Sequence, residues 1–241
     1  MSVHVRTGGE GPALVLLHGL GATGEVWREV VPRWPGSWIV PDLPGHGRSD
    51  PLTRYSFGAL AAAVAPAIPA GPVAVLGHSL GGVVALALAS GWFGVEVRAV
   101  AGLGVKLLWT PEELAKAAEV ARRPPKVFDS REDAEAWASR LAGVPLSEGV
   151  TGADGGLGGG PGGWRAALDP AAFAVGAPDV PGLLAVSKAD PTVLAAGADD
   201  HMCPPADLLA ADPNGLVLPG VGHNAHVEAP SALDPVLELL R

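Results

Sequence analysis

Short apolar runs recur along the chain with longer, helix-compatible stretches between them: Ala13–Leu17, Trp38–Val40, Val73–Leu76, Val97–Ala101, Thr192–Ala196 and Leu216–Leu218. Each is too short for a helix and nearly free of polar residues, as expected of strands covered on both faces. Their alternation with helical segments predicts an α/β protein built on a mostly parallel sheet with helices on both sides. Val3–Arg6 adds an antiparallel edge strand, for about seven strands in all. No period of 20–50 residues repeats, which excludes a solenoid or propeller.

One spacing breaks the alternation. Between Val97–Ala101 and Thr192–Ala196 lie about ninety residues, far more than the single helix that joins parallel strands. Within it, Thr110-Pro111-Glu112-Glu113 supplies an N-cap, a first-turn proline and a capping-box glutamate, predicting a helix that ends near Arg123, before Pro124-Pro125. Ser130-Arg131-Glu132-Asp133 opens a second helix, which Gly143 terminates. Residues 149–163 hold nine glycines in fifteen positions and read as a mobile loop. The organisation expected is a core from 1–103 and 189–241 with a partly helical lid, 104–188, inserted between.

Composition narrows the function. At 241 residues, 48% hydrophobic and 17% charged, the chain suits one large globular domain. A formal charge of -9 without a Lys/Arg cluster argues against a nucleic-acid partner. Met1-Ser-Val-His-Val-Arg6 lacks the layout of a signal peptide, and Val83–Ala89 is too short to span a bilayer, so a soluble cytoplasmic protein is expected. The single cysteine, Cys203, permits no internal disulfide and no thiolate metal site.

The candidate chemistry starts at Gly77-His78-Ser79-Leu80-Gly81, set between the Pro72–Leu76 strand and the apolar helix Gly82–Ala89. This is the pattern of a nucleophile elbow, a strained turn that lifts the serine Oγ clear of the sheet between glycines that make room for it. A serine hydroxyl needs a general base and a group to orient that base. In open parallel sheets such groups follow the carboxyl ends of strands. Asp199 and Asp200 follow one strand and His223 another, in the order nucleophile, acid, base. The backbone N–H of Leu80, after the nucleophile, is one oxyanion donor, assisted by the helix N-terminus.

Five motifs together resemble the α/β-hydrolase superfamily over nearly the whole chain: His18-Gly19-Leu20-Gly21, Asp42-Leu-Pro-Gly-His-Gly-Arg-Ser49, the elbow, Gly197-Ala-Asp-Asp200 with Pro204, and Gly220-Val-Gly-His223 with Glu228. The resemblance implies the α/β-hydrolase fold and selects Asp200 over Asp199 and His223 over His226. It also implies Leu20 N–H as the second oxyanion donor. No cofactor and no metal are implied. Ser79 stands where dehalogenases and epoxide hydrolases of this fold carry a carboxylate. Asn224 stands where carbon–carbon bond hydrolases usually carry tryptophan. The reaction expected is hydrolysis of a small, largely apolar carboxylic ester, lactone or thioester. Cofactor-free perhydrolysis or haloperoxidation and carbon–carbon hydrolysis use the same triad, and a small-molecule receptor on this scaffold is the alternative of another class.

The remaining residues have plainer readings. His4, His46 and His226 read as satisfied polar side chains, His18 and His78 as structural groups in the site loops, and Cys203 as a packed thiol. His201, beside the acid, could modulate it. Trp109, Trp137 and Trp164 fall in the insert as candidate walls of an apolar pocket. Arg122, Arg123 and Lys126 read as a solvated helix end complementing the dipole.

Overall fold

The computed structural model describes residues 1–153 and 162–241. In chain order the elements are β1 (Val5–Gly8), β2 (Ala13–Leu17), β3 (Trp38–Pro41), α1 (Phe57–Val64), β4 (Val73–His78), α2 (Leu80–Ala89) and β5 (Val97–Leu103). They continue with α3 (Pro111–Val120), β6 (Val127–Phe128), α4 (Arg131–Ala142), β7 (Val150–Gly152), β8 (Trp164–Ala166) and α5 (Val180–Val186). The chain closes with β9 (Thr192–Gly197), α6 (Pro205–Ala211), β10 (Leu216–Leu218), α7 (Ala225–Glu228) and α8 (Asp234–Leu239).

Seven strands form one sheet in the order β1-β3-β2-β4-β5-β9-β10, all parallel except β1, which pairs antiparallel with β3. This is the α/β-hydrolase architecture. The edge strand begins two residues later than the sequence pattern indicates, because its register runs from Val5 opposite Pro41 to Gly8 opposite Trp38. There the Trp38 ring lies over Gly8, where a Cβ would come within 2.4 Å of it. Central β4 is buried along its whole length, and so is α2, which packs on β4 and β5. This apolar slab is the rigid base on which the strand ends present their side chains.

The segment between β5 and β9 departs from a simple crossover. Thr110 caps α3 in a reciprocal capping box with Glu113, and Gly143 ends α4 in the left-handed conformation at φ 70°, as the local signals predict. The glycine-rich stretch corrects the expectation of a loop over 149–163: its flanks form β7 and β8, which join β6 in a three-stranded antiparallel sheet ordered β6-β8-β7. Positions 154–161 of that stretch lie outside the described residues. Gly163, at φ 87°, turns the chain into β8 where a Cβ would meet the Phe128 carbonyl at 2.5 Å. At the far end of the segment, α5 packs on α2, and Lys188 N–H donates to the Ala89 carbonyl at 2.8 Å. Glu148 ties the segment to the core through Arg6 at 2.7 Å. Among the described residues no helix is long and apolar enough to cross a membrane.

Candidate active site

The elbow is built by backbone constraint. Ser79 has φ 51° and ψ −114°, and among the described residues no other non-glycine has positive φ. Such strain persists only where the surroundings enforce it. Here Ser79 N–H donates to the Leu103 carbonyl at 2.8 Å, locking the turn to β5. The turn also demands close backbone approach: a Cβ on Gly77 would lie 2.0 Å from the Gly81 carbonyl, and one on Gly81 would lie 2.4 Å from that of Leu17.

The candidate acid and base arrive from neighbouring strand ends. Asp200, just after β9, is buried, and its Oδ2 accepts from His223 Nδ1 at 3.0 Å. Its Oδ1 accepts from the N–H groups of Met202 (2.8 Å) and Cys203 (3.0 Å). Burial would push this carboxyl up, but the hydrogen bond and charge of His223 and the two N–H donors outweigh it, holding the group below its ordinary value. Asp199, the alternative, is exposed. Because a carboxylate only accepts, His223 carries its hydrogen on Nδ1, which leaves Nε2 with a lone pair. Glu228 braces the same loop, accepting from Gly222 N–H at 2.6 Å and Asn224 N–H at 3.0 Å. Gly104 was not singled out in the sequence: at φ 59°, its absent side chain leaves room for the pair, since a Cβ would lie 3.2 Å from both Asp200 Oδ2 and His223 Nδ1. A glycine directly after a buried strand was the available signal.

The loop after β2 is fixed by His18. Its Nδ1 donates to the Gly19 carbonyl at 2.8 Å and its Nε2 accepts from Leu43 N–H at 2.8 Å. Burial lowers its pKa against the opposing pull of Asp42, in keeping with a neutral ring. Asp42 in turn accepts from Gly24 N–H (2.8 Å) and Arg48 N–H (3.1 Å) and pairs with Arg6 at 3.2 Å.

Ser79 and His223 open on one cavity of about 890 Å³, with Leu20 and Leu80 also on its core side and Trp109 and Leu141 on the insert side. Asp200 stands behind His223 rather than on the wall. The structure separates the three tryptophans. Trp109 lines the cavity, whereas Trp137 packs against Phe128 beneath Lys126 and Arg140, and Trp164 lies under Arg131. Trp137 and Trp164 are held by the small sheet and α4, away from the cavity wall. His201 is on the wall, while Arg122, Arg123 and Lys126 are not, and Arg123 pairs with Glu119.

The plain histidine reading needs correction at three positions. Among the described residues His4 Nε2, His46 Nε2 and His226 Nδ1 are buried without a hydrogen-bond partner, while His46 Nδ1 donates to the Pro44 carbonyl at 3.1 Å. His226 instead stacks on Trp27 and His78, with centroids 4.6 and 4.3 Å apart, and His46 packs edge-on to His18. Burial pushes His46 and His226 down to about 3. The Cys203 thiol, buried near Asp200 and Asp207, is pushed up to about 12 and is protonated at neutral pH. Among the described residues no three His, Cys, Asp or Glu side chains converge as metal ligands.

A family model described as "Alpha/beta hydrolase family" matches residues 14–235. The chain belongs to the α/β-hydrolase family. Curated relatives match over shorter stretches. The Rhodobacter capsulatus protein named magnesium-chelatase 30 kDa subunit is 45% identical over 87 residues, covering 33% of this chain and 31% of that protein. The pimeloyl-[acyl-carrier protein] methyl ester esterase of Aeromonas hydrophila subsp. hydrophila is 48% identical over 94 residues, covering 37% and 36%. The matches thus span about a third of the relatives' length. Among solved structures, an E-2-(acetamidomethylene)succinate hydrolase superposes with TM-score 0.78 at 21% identity, covering 99% of this chain and 94% of that one. At that identity the likeness carries the fold.

Proposed function

We propose that this α/β-hydrolase cleaves a carboxylic ester, lactone or thioester of a small, largely apolar substrate through an acyl-enzyme on Ser79. The observation that carries this is the buried Asp200–His223 hydrogen bond, whose base opens on the same cavity as the strained serine. Relatives named as esterases support ester chemistry, although their matches cover only part of their length. In the proposed reaction His223 Nε2 takes the proton from Ser79 Oγ as that oxygen bonds to the substrate carbonyl carbon. The N–H groups of Leu20 and Leu80 receive the oxyanion, and Asp200 stabilises the imidazolium. His223 then gives its proton to the departing alcohol or thiol, and water, activated by the same imidazole, releases the acid and regenerates Ser79. Residues 104–188 serve as the lid, with Trp109 on the substrate side.

A p-nitrophenyl ester series of increasing acyl length tests the proposal. Turnover should peak at one chain length, and Ser79→Ala should lower kcat by at least about 10⁴-fold without loss of fold. Tight ester binding with no turnover would instead favour a receptor on a hydrolase scaffold.

A further inference from the structure

The residue before the nucleophile touches more of the site than its place in the elbow requires. His78 ends β4 and is buried at 4% exposure. Its Nε2 lies 3.0 Å from the backbone carbonyl of His223. A carbonyl oxygen only accepts, so Nε2 must carry the hydrogen. The two imidazole rings pack with centroids 4.7 Å apart and planes at 57°. On its other side His78 packs on His226, itself backed by Trp27. Its Nδ1 edge abuts Gly19, where a Cβ would come within 2.8 Å. One side chain thus meets the loops that follow β2 and β10 while its neighbour in sequence is the nucleophile.

We propose that His78 is a positioning residue for the base: its Nε2–H holds the His223 carbonyl, and its ring forms the floor against which the His223 imidazole lies. The inference rests on the catalytic reading of His223 given above. His223 is then held at two points, its side chain by Asp200 and its main chain by His78, so that Nε2 faces Ser79 through the proton transfers. The groups facing His78 suit this work. Burial, together with His226, His223 and His18, keeps its imidazole well below the ordinary value, so it remains a neutral donor when His223 becomes charged. A second cation against the imidazolium would oppose the reaction. A glycine at position 19 is required in part because any side chain there would displace this ring.

Two measurements test the proposal. The first is histidine nitrogen NMR on the wild-type protein without substrate. It should show His78 as the neutral Nε2–H tautomer throughout about pH 5 to 8. An Nδ1–H tautomer, or titration of His78 in that range, overturns the hydrogen bond on which the inference depends. This readout is independent of turnover, so failure of the ester-hydrolase reading does not imitate its failure. The second is kinetic. His78→Phe keeps an aromatic floor and removes the donor, and it should lower kcat about 10- to 100-fold while KM stays within about twofold. His78→Gln, whose amide N–H can reach the same carbonyl, should recover at least about half of that loss on a logarithmic scale. Wild-type kcat in His78→Phe, or equal impairment in His78→Gln and His78→Phe, overturns the positioning role.

Discussion

Helices α2 and α3 are both ten residues long, and they are held in opposite ways. Every residue of α2 is buried, whereas none of α3 is. α3 carries a proline in its first turn and a complete capping box between Thr110 and Glu113. At the N-cap of α2 stands Ser79, whose side chain makes no capping bond. A serine in that position ordinarily spends its oxygen on the free N–H groups of the first turn. In α2 that oxygen is not spent on a cap, Ser79 and Leu80 line the cavity, and burial holds the helix in place. The insert helix has little core to rest on and relies on local signals. The lesson is a division of labour: packing holds the part that needs an unsatisfied terminus, and capping holds the part that stands over the cavity.

The largest effect that would break this contrast is a side chain at Gly77. The Cβ in Gly77→Ala would stand 2.0 Å from the Gly81 carbonyl, with no flexible neighbour to yield. Loss of more than about 4 kcal/mol, seen as insoluble or unfolded protein by circular dichroism, is expected.

Acid should sharpen the contrast next. His46 and His226 are core residues pushed down to about 3 by burial. The unfolded chain takes up these protons near pH 6.5, whereas the folded chain does not until about 3. The folded state therefore loses stability as pH falls through that window, by about 1.4 kcal/mol per pH unit per group once well below 6.5. Asp200 behaves otherwise: its depressed carboxyl contributes stability that is intact above about pH 4 and lost only as pH falls through its lower folded value. Urea midpoints between about pH 6 and 4.5 should thus drop steeply in the wild type, and His226→Phe should flatten that slope by about one group's worth. An unchanged slope would contradict neutral burial of His226.

The smallest effect expected is at α3. Thr110→Ala removes one half of the capping box and should cost about 1 kcal/mol at most. Its readout is hydrogen exchange confined to α3, with the elbow unaffected; matching loss of protection in α2 would contradict the separation of the two helices.

The same contrast explains what the sequence made legible. The caps of α3 and α4, the strands of the main sheet and the elbow are signalled by neighbouring residues, and each was read close to its observed position. The pairing of Asp200 with His223 was reached through motif resemblance, since spacing alone left Asp199 open. What stayed hidden depends on distant partners. β7 and β8 arise at the flanks of a glycine run because they pair with each other and β6 offers β8 a second ladder, a pairing no local rule announces. Trp137 and Trp164 turn toward the small sheet rather than the cavity for the same reason. The stack running from His223 through His78 and His226 to Trp27 joins three stretches of chain, and residue type alone suggested only a satisfied polar group at His226 and a structural group at His78.

The central claim is that the oxygen α2 does not use for its own cap is the nucleophile. Mass spectrometry after reaction with a fluorophosphonate, followed by peptide mapping, tests it most directly. A single adduct on Ser79, abolished in Ser79→Ala, is the result expected. A folded wild-type protein that takes no adduct at Ser79, or a Ser79→Ala variant that is labelled as fast as the wild type, would contradict it.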